Sequence, residues 1–481
     1  MRTARLVTIV LAVSGCHWTA PPADVGFVAQ WTSTHYALAR AERLSPPVAA
    51  RVSAYAAIAL YEGWAAFSDS LRSLGGQLNG LGTLPAPVRG ERYDPATVAV
   101  EAQAVVLLDL YQQGFASTTV TIQALHDSLV DVRRTAVASD PVMKRSVAFG
   151  TELGRAILAW AATDGFLETR GKEFTLPVGP QYWVPTATEA QYRPQNLSGQ
   201  TDIVSLDDPT ASAKPTEMSE RSLTVNRPKP RGATLVPGIN VTKPVEPYWG
   251  QLRPFALVTA DSCQAPLPVP FSTSPSSAFY AQAKTVYDVG LSLTPEQRKI
   301  GYFWADNPGE SGTPAGHWLG IISQLAVARH LTPERAAEVY AVAAIAMADA
   351  FIACWHLKYQ VNLLRPVTYI QRYIDPRWQT ALLTPPFPEY ASGHAIQSAA
   401  TAEILTAFLG DSTAFDDATH VNLGHPPRHF SSFRAAAAEV AMSRLYGGIH
   451  YPMGNENGAA QGRCIGRHVL ARVKTRPHEP R

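Results

Sequence analysis

The sequence predicts an all-α fold built of helical bundles. Apolar residues recur at helical spacing through most of the chain, and prolines stand where several of these segments begin. Alternating apolar and polar runs, which are typical of half-buried strands, are nearly missing from the sequence. The chain has 481 residues, of which 46% are hydrophobic, so it can bury a large core and form two or three domains.

The region 17–165 is predicted to be an N-terminal helical region. Pro46 and Pro47 open one segment of helical periodicity, and Pro95 opens another. Two further helical segments are expected near 117–135 and 141–164. Proline is favoured at the first helical position, where its missing N–H removes no hydrogen bond.

The region 166–275 differs in composition from what precedes and follows it. It contains 16 of the 38 prolines and loses all periodicity, so we predict a long irregular connection. Such connections in compact proteins are usually functional or wrap the surface. Helical periodicity resumes in 276–481, which is predicted to be a C-terminal helical domain. The expected architecture is two packed four-helix-type bundles.

One apolar run, Val339 to Trp355, reaches the lower length limit for a membrane span. Alanine dominates this run, and Asp349 interrupts it. A buried core helix is therefore the favoured interpretation.

The N-terminus has the features of an export signal. Arg2 and Arg5 precede a short apolar stretch that ends at Ser14-Gly15-Cys16. This end resembles a bacterial lipoprotein box, which would make residues 1–16 a signal peptide with Cys16 lipidated. An ordinary cleaved signal is the alternative. Either way the chain is expected to be exported, as a periplasmic or outer-membrane lipoprotein or otherwise as a secreted protein.

Three further cysteines, Cys263, Cys354 and Cys464, permit at most one disulfide. Their spacing fits no zinc motif, and we expect mostly buried thiols. The formal net charge of +2 gives no field strong enough to predict nucleic-acid binding. Any anion site must therefore be local.

The first segment with chemical potential runs from Lys358 to Arg365-Pro366. A spacing of seven places both cations on one face of a continuous helix, and Pro366 would end or kink that helix. Two cations on one face repel each other unless an anion lies between them. A solvated basic face is the alternative for this segment taken alone.

The second segment is proline-rich and ends at Ser392-Gly393-His394, directly before a helical pattern. Ser392 is a good N-cap, and Gly393 lets a ligand approach the backbone closely. Free amides at a helix N-terminus bind anions. His394 can exchange a proton near neutral pH. An ordinary capped helix is the alternative.

The third segment runs from Ser443-Arg444 through Gly447-Gly448 to His450. A continuous helix would point Arg444 and His450 in different directions. The two glycines can end the helix, so that His450 lies on the following loop and turns toward Arg444. A helix end with an ordinary surface histidine is the alternative.

Together the three segments supply an inventory suited to a tetrahedral oxyanion, because arginine makes paired contacts with such groups. In order and spacing they resemble the signature of the superfamily that unites type-2 phosphatidic acid phosphatases and vanadium-dependent haloperoxidases. The resemblance covers the C-terminal half only.

The resemblance implies a role for each matching residue. Lys358, Arg365 and Arg444 would neutralise the oxygens of vanadate or phosphate, and Ser392 and the Gly393 amide would add hydrogen bonds. His450 would be the vanadium ligand in a haloperoxidase and the nucleophile in a phosphatase. His394 would be the general acid–base. Further matches make Asp306 the partner of Arg444 and place Trp355 and Phe387 beside the halide region, with core packing as the alternative for both aromatics.

The length and the helical N-terminal half favour the haloperoxidase branch. Its members oxidise a halide with hydrogen peroxide and pass it to a small organic acceptor, and a homodimer is expected. The family often has an aspartate four residues after the histidine that matches His450, but this chain has Gly454 there. Without that carboxylate, phosphohistidine chemistry should be slower, unless Asn455 or Asp306 compensates.

Two alternatives to the haloperoxidase stay open. One is a soluble acid phosphatase that uses the same pocket. The other is a non-catalytic lipoprotein that binds phosphate or another anion, although anion binding alone would not need both histidines. A cluster of His420, His425 and His429 with Asp416 and Asp417 could hold a metal, but its spacing matches no metal motif.

Overall fold

The computed structural model describes residues 20–186 and 243–477. The predicted signal peptide and Cys16 lie outside the described residues, as does 187–242 of the irregular connection. The helices of the N-terminal region are α1 (Gly26–Ala41), α2 (Pro46–Ala65), α3 (Pro95–Leu110), α4 (Ala116–Val137), α5 (Asp140–Ala161) and the short α6 (Phe166–Thr169).

The C-terminal region is also helical. Its helices are α7 (Ala278–Leu291), α8 (Pro295–Phe303), α9 (Thr313–Ala328), α10 (Pro333–Val361), α11 (Pro366–Tyr373), α12 (Gly393–Leu409), α13 (Phe433–Tyr446) and α14 (Pro452–Arg472). A single antiparallel pair, β1 (Phe415–Asp417) with β2 (Arg428–Phe430), is the only sheet among the described residues, and Phe415 pairs with Phe430. The predicted all-α class is confirmed.

Helix boundaries follow the local sequence. Proline occupies the first turn of α2, α3, α5 and α10, as its fixed φ predicts. A capping box opens α8, where Thr294 and Gln297 each accept from the other's backbone N–H. Asn362 ends α10 in the left-handed conformation, with φ of 51°, and this reverses the chain before α11.

The long helix α10 is the central element of the core. It packs against α2 of the N-terminal region and α12 of the C-terminal region. It is long and apolar enough to cross a membrane, but its apolar window is wholly buried in the protein, as expected for a core helix. Asp349 within it accepts hydrogen bonds from the backbone N–H groups of Phe255, Ala256 and Leu257 at 2.6, 2.8 and 2.8 Å.

Glycines allow α14 to lie directly against α12. A Cβ atom at Gly462 would come within 2.0 Å of the Ile396 carbonyl oxygen, and one at Gly466 within 2.7 Å of the Ala400 oxygen. Backbones can approach this closely only where the side chain is a hydrogen atom. This contact fixes the N-terminus of α12 against the start of α14.

The described parts of the irregular connection lie against the end of α10. The Trp183 N–H donates to the Asn362 carbonyl at 2.7 Å, and the Leu364 N–H donates to the Gln181 carbonyl at 3.0 Å. The Val245 carbonyl accepts from Trp355 Nε1 at 3.1 Å. The connection therefore helps to hold the chain reversal after α10.

The prediction of mostly buried thiols is corrected for two of the three cysteines. Cys263 of the connection and Cys464 of α14 form a disulfide, while Cys354 is a free, buried thiol. The sequence allowed one bridge but could not choose the pair, because 201 residues separate the two partners.

Candidate active site

Three separate parts of the fold bring the predicted residues together. Lys358 is in the last turn of α10, and Arg365 directly precedes α11. The two cations do not share a helix face as predicted, because α10 already ends at Val361. The left-handed Asn362 turns the chain, and Arg365 reaches His450 Nε2 from the loop, at 3.2 Å.

Lys358 is fully buried and anchored at its tip. Its Nζ donates to the carbonyl oxygens of Pro388 and Glu389 at 3.0 and 2.7 Å. Burial, with a smaller effect from Arg365, lowers the pKa of this ammonium to about 8. The charge of Lys358 is therefore costly to bury and would be favoured by a neighbouring anion.

Arg365 is also fully buried, and backbone oxygens orient its guanidinium. Its Nε donates to the Phe387 carbonyl and its Nη1 to the Ile449 carbonyl, both at 2.9 Å. Nη1 also lies 3.2 Å from His450 Nε2. The guanidinium therefore borders the ring nitrogen that the family resemblance assigns to the reaction.

Ser392 is the N-cap of α12, as predicted, but its hydroxyl does not cap the helix. The side chain is fully buried, and Ser392 Oγ has no hydrogen-bond partner. Gly393 is the first residue of the helix, so its N–H is among the amides that no helical carbonyl accepts. A buried hydroxyl beside free amides fits an anion ligand.

Arg444 comes from the last turn of α13. Gly447 ends this helix, and Gly448 with φ of 74° turns the chain toward His450, as the sequence predicts. Nη1 of Arg444 donates to His394 Nε2 at 2.9 Å, while Nε and Nη2 are buried without a partner. Burial lowers its pKa to about 10, and the charge of Asp306 opposes that shift.

His450 lies on the loop between α13 and α14 and is held by a carboxylate that the sequence analysis missed. Its Nδ1 donates to Glu389 Oε1 at 2.8 Å, and this oxygen also accepts from the Tyr451 backbone N–H at 3.1 Å. Glu389 thus fixes the tautomer in which His450 Nε2 carries the lone pair, on the side of the ring that Arg365 contacts. Burial and then Arg365 hold the pKa of His450 well below its usual value, so the ring is neutral.

Glu389 takes the place of the family's aspartate. A Cβ atom at Gly454 would lie 2.3 Å from Glu389 Oε1, so the glycine makes room for this carboxylate. The suggestion that Asn455 or Asp306 compensates for Gly454 is wrong. Burial raises the pKa of Glu389 to about 7, and the nearby Lys358 lowers it. Only the position of Glu389 just before the Ser-Gly-His segment could have suggested it.

His394 is partly exposed, and its Nε2 faces Arg444. Burial, followed by the charge of Arg444, holds its pKa well below the usual value, and a hydrogen bond with the backbone of Ala305 opposes the shift. Because Arg444 donates to Nε2, the ring is a neutral acceptor there. The ring is therefore unprotonated, which is the form that a general base needs.

Asp306 does not form the predicted ion pair with Arg444. Its carboxylate instead contacts His317 Nδ1 at 3.0 and 3.1 Å and accepts from Ser311 Oγ at 3.1 Å. Arg444 receives only the longer-range field of this carboxylate, which raises its pKa. The apolar helical surroundings of His317 gave no sign in the sequence of this competing partner.

Trp355 and Phe387 form one aromatic wall of the site. Their ring centroids are 5.0 Å apart. Lys358 Nζ lies 5.3 Å from the Phe387 centroid, and the Arg365 guanidinium carbon lies 5.0 Å from it. Trp355 belongs to the hydrophobic core and Phe387 packs against it, and the prediction that both flank a halide stays a prediction.

The assembled side chains are suited to bind a tetrahedral oxyanion. Three buried cations surround the pocket, and two nitrogens of Arg444 and the Ser392 hydroxyl point to no partner within the described residues. Buried donors are nearly always satisfied in folded proteins, so these await a ligand. His450 Nε2 adds a nucleophilic or metal-binding atom.

Known proteins with the same architecture support this interpretation. A sequence model of the VCPO second helical-bundle domain matches residues 338–479. The fold resembles a solved bacterial vanadium-dependent iodoperoxidase with a TM-score of 0.78 and 32% sequence identity, over 95% of this chain and 98% of the other.

More distant structures share the fold. A holo-type bacterial vanadium-dependent chloroperoxidase matches with a TM-score of 0.65 and 16% identity, over 94% of this chain and 98% of the other. An apo-type bacterial chloroperoxidase matches with a TM-score of 0.59 and 15% identity, over 94% and 100%. A search among curated protein sequences finds no significant match. Taken with the assembled oxyanion pocket, the 32% identity over nearly the full length shows that this chain belongs to the vanadium-dependent haloperoxidase family.

Proposed function

We propose that this protein is a vanadate-dependent haloperoxidase, which oxidises a halide with hydrogen peroxide and passes it to a small organic acceptor. The observation that carries the proposal is the set of buried donors that find no partner among the described residues, Arg444 Nε, Arg444 Nη2 and Ser392 Oγ, together with the unprotonated Nε2 of His450, which Arg365 Nη1 contacts at 3.2 Å. This set fits a four-oxygen anion whose central atom binds an imidazole nitrogen.

The donor set suits vanadate, and phosphate could occupy the same position. Vanadate would be held by the cations of Lys358, Arg365 and Arg444, by the Ser392 hydroxyl and the Gly393 amide, and by the imidazole of His450. When bound, vanadate supplies the Lewis acid that activates hydrogen peroxide toward a halide.

The residues of the chain prepare this chemistry. Glu389 holds His450 so that Nε2 is aimed into the pocket, and the arginines and Lys358 offset the charge of the anion. Their fixed dipoles need no rearrangement when the anion binds, because backbone carbonyls already orient Lys358 and Arg365. The burial of all three cations keeps bulk water from screening them.

His394 would transfer protons. Its ring is neutral and is held in place by Arg444 and Ala305. A neutral imidazole can accept a proton from hydrogen peroxide and later return it to an oxygen leaving group. We therefore assign it the general acid–base role.

The halide is proposed to be iodide. Among the structures described above, the one with 32% identity is an iodoperoxidase, whereas the chloroperoxidases are at 16% and 15%. Iodide is also the easiest of the three common halides to oxidise. Chloride and bromide are the comparison substrates in the assay described below.

Acid phosphatase activity is the second candidate. The missing aspartate at Gly454 counted against it in the sequence, but the hydrogen bond from His450 to Glu389 restores a carboxylate to the nucleophilic imidazole. A carboxylate in this position orients the ring and stabilises its positive charge. Phosphohistidine formation at His450 is therefore chemically reasonable in the absence of vanadate.

A two-arm assay on one preparation separates these functions. In the first arm the protein is loaded with vanadate, and halide oxidation by hydrogen peroxide is followed with iodide, bromide and chloride. In the second arm hydrolysis of a phosphate monoester is measured without vanadate. Each arm is repeated with His450→Ala and with the control His429→Ala, which alters an exposed histidine far along the β hairpin.

Halide oxidation that is lost in His450→Ala and kept in His429→Ala supports the proposal. Efficient hydrolysis without halide oxidation, lost in the same variant, would establish the phosphatase. Phosphate binding with neither activity would leave a non-catalytic anion-binding protein.

We further propose that the protein is exported and carries a lipid anchor on Cys16. The Cys263–Cys464 disulfide supports export, because such bonds persist in oxidising compartments. Metabolic labelling with a radioactive fatty acid in wild type and Cys16→Ser tests the anchor. A homodimer, expected from the family, is tested by light scattering.

A further inference from the structure

A second cluster of ionisable side chains lies beside the oxyanion site but outside it. It consists of Asp306 on the loop before α9, His317 on α9, and His420 and Asp417 on the β hairpin. All four side chains are buried, with exposed fractions of 0 to 4%. Of these, the ligand atoms of Asp306, His317 and His420 lie within 4.8 Å of one another.

Each imidazole in the cluster has its outer nitrogen fixed by an oxygen acceptor. His317 Nε2 lies 2.8 Å from Asp417 Oδ2, and His420 Nδ1 lies 3.0 Å from the Phe303 carbonyl oxygen. The inner nitrogens, His317 Nδ1 and His420 Nε2, face the Asp306 carboxylate. Histidines that bind metals usually donate their other N–H to a carboxylate or a backbone carbonyl in this way.

His420 Nε2 is the independent indication of a ligand. The residue is 2% exposed, and this nitrogen makes no hydrogen bond with any residue that the structure describes, although it lies 3.4 Å from Asp306 Oδ1. His317 Nδ1 lies 3.0 Å from Asp306 Oδ2. Ligands about 2.0–2.1 Å from a tetrahedral zinc ion stand roughly 3.4 Å apart, which is within the 4.8 Å that these three ligand atoms span.

We propose that Asp306, His317 and His420 bind a divalent transition-metal ion, for which zinc is the best match. Two imidazoles and one carboxylate are ligands that zinc accepts, and a tetrahedral fourth position remains for Ser311 Oγ or water. Asp417 Oδ2 contacts His317 Nε2, the ring nitrogen that faces away from the proposed metal, as in a carboxylate–histidine–metal arrangement. His425 is half-buried, and its ring lies 6.2 Å from that of His420.

The competing explanation is a metal-free ion-pair network. In it, a protonated His317 would bridge the carboxylates of Asp306 and Asp417. That arrangement leaves two buried negative charges facing one positive charge, and it gives His420 Nε2 no partner. A divalent ion balances both carboxylates and satisfies the free nitrogen, which favours the metal.

The metal would act on the reaction through the loop that it holds. Asp306 follows Ala305, whose backbone contacts the ring of His394, and the field of Asp306 reaches Arg444. Binding would fix this loop between α9 and the β hairpin. The three ligands are therefore positioning residues for the oxyanion site rather than catalytic ones.

Metal analysis of the full-length protein tests the proposal directly. The protein is purified without chelator, and its metal content is measured by inductively coupled plasma mass spectrometry. Bound metal is then removed with a chelator, and the protein is titrated with zinc sulfate, with the heat of binding measured by calorimetry and Tm by thermal unfolding. We expect about one zinc ion per chain and a Tm that rises by several degrees on zinc addition. His317→Gln and His420→Gln should lose both effects, and His429→Gln should keep them.

The wild-type titration does not depend on whether the variants fold. Stripped wild-type protein that binds no zinc and shows no change in Tm overturns the proposal and leaves the ion-pair network. Zinc that stays bound in a folded His420→Gln variant also overturns it, because the metal would then be elsewhere. These readouts involve no vanadate, so they are independent of the haloperoxidase assay.

Discussion

At the residue scale, the defining feature of the site is the pairing of His450 with Glu389. The carboxylate fixes the tautomer in which His450 Nε2 carries the lone pair, and Arg365 Nη1 contacts this nitrogen at 3.2 Å. The charges of Lys358 and Arg444 attract the anion. The pair is therefore the part of the site most sensitive to a small chemical change.

Glu389→Gln should weaken the site without removing it. An amide cannot stabilise a positive imidazole, so vanadate affinity and halide oxidation should each fall about 10- to 100-fold, as for other partners of metal-binding histidines. Calorimetric vanadate binding and steady-state rates measure both effects. Glu296→Gln, an exposed glutamate, is the control. Unchanged affinity and rate in Glu389→Gln would show that the pair has no role.

An aspartate at position 454, where the family often has one, should be able to replace the carboxylate of Glu389. Gly454→Asp alone should destabilise the protein, because its Cβ would lie 2.3 Å from Glu389 Oε1. The double variant Glu389→Ala with Gly454→Asp removes this clash and should regain more activity than Glu389→Ala alone. Rates of the three variants, with thermal unfolding as the folding check, test this. Equal loss in the single and double variants would mean that the two positions are not equivalent.

The lowered pKa of Lys358, at about 8, predicts how vanadate binding depends on pH. Below pH 8 the ammonium is already charged, so binding takes up no proton at this site. Above pH 8 the empty site holds neutral lysine and binding must take up a proton, so the Kd should rise about tenfold per pH unit. Arginine stays charged, and Lys358→Arg should abolish this component.

Vanadate affinity of both proteins from pH 6 to 10 provides the comparison. Vanadate itself changes protonation over this pH range, but this changes the Kd of wild type and of Lys358→Arg by the same factor and so cancels in the ratio of the two Kd values. A ratio that does not change with pH would show that Lys358 is charged throughout.

The sequence predicted the anion-binding residues well because they lie in short segments with distinctive spacing. Glu389 was not predicted, because its partner His450 is 61 residues away in the sequence and the only local indication is that Glu389 lies just before the Ser-Gly-His segment. Asp306 was assigned to Arg444 because the family pairs these positions. Only the fold shows that His317 is closer to this carboxylate.

At the scale of elements, the contact between α12 and α14 holds the anion site together. Gly462→Ala should destabilise the protein by about 1–3 kcal/mol, because the new methyl group would meet the Ile396 carbonyl oxygen at 2.0 Å. The matched control is Gly82→Ala, where a Cβ has no neighbour within 4 Å. Chemical denaturation measures both.

The control should be neutral or slightly stabilising, since alanine restricts the unfolded chain more than glycine does. Equal stability of Gly462→Ala and Gly82→Ala would mean that the helices separate without cost. Any vanadate affinity lost in a folded Gly462→Ala would show that this contact also positions Ser392.

Helix positions were predictable where proline, apolar periodicity and caps agree, as at α2, α3 and α10. The end of α10 was not, because seven-residue spacing suggested that Lys358 and Arg365 share a helix. The left-handed Asn362 ends the helix after Val361, and its conformation depends on the packed connection around Trp183. Long-range packing therefore decided this boundary.

At the scale of the whole molecule, one hydrophobic core joins residues of the N-terminal and C-terminal regions. The proposed boundaries at 165 and 275 stay predictions, and the all-α class followed directly from the periodicity. The Cys263–Cys464 bridge ties the irregular connection to α14 across this core.

Cys464→Ser should lower the free energy of unfolding by about 2–5 kcal/mol, as loss of a native disulfide usually does. Denaturant titration of both proteins without reductant gives the difference. Alkylation of the unfolded, unreduced wild type should modify the peptide with Cys354 and spare those with Cys263 and Cys464. Alkylation of all three would show that the bridge does not form.

The central claim is that three separate segments close around one oxyanion bound at His450. A crystal structure of the protein soaked with vanadate, with the vanadium located by anomalous scattering, tests it most directly. We predict vanadium bonded to His450 Nε2, with oxygens on Arg444 Nε and Nη2 and on Ser392 Oγ. Vanadium bonded to another residue, or a pocket without vanadium at saturating concentration, would contradict the account.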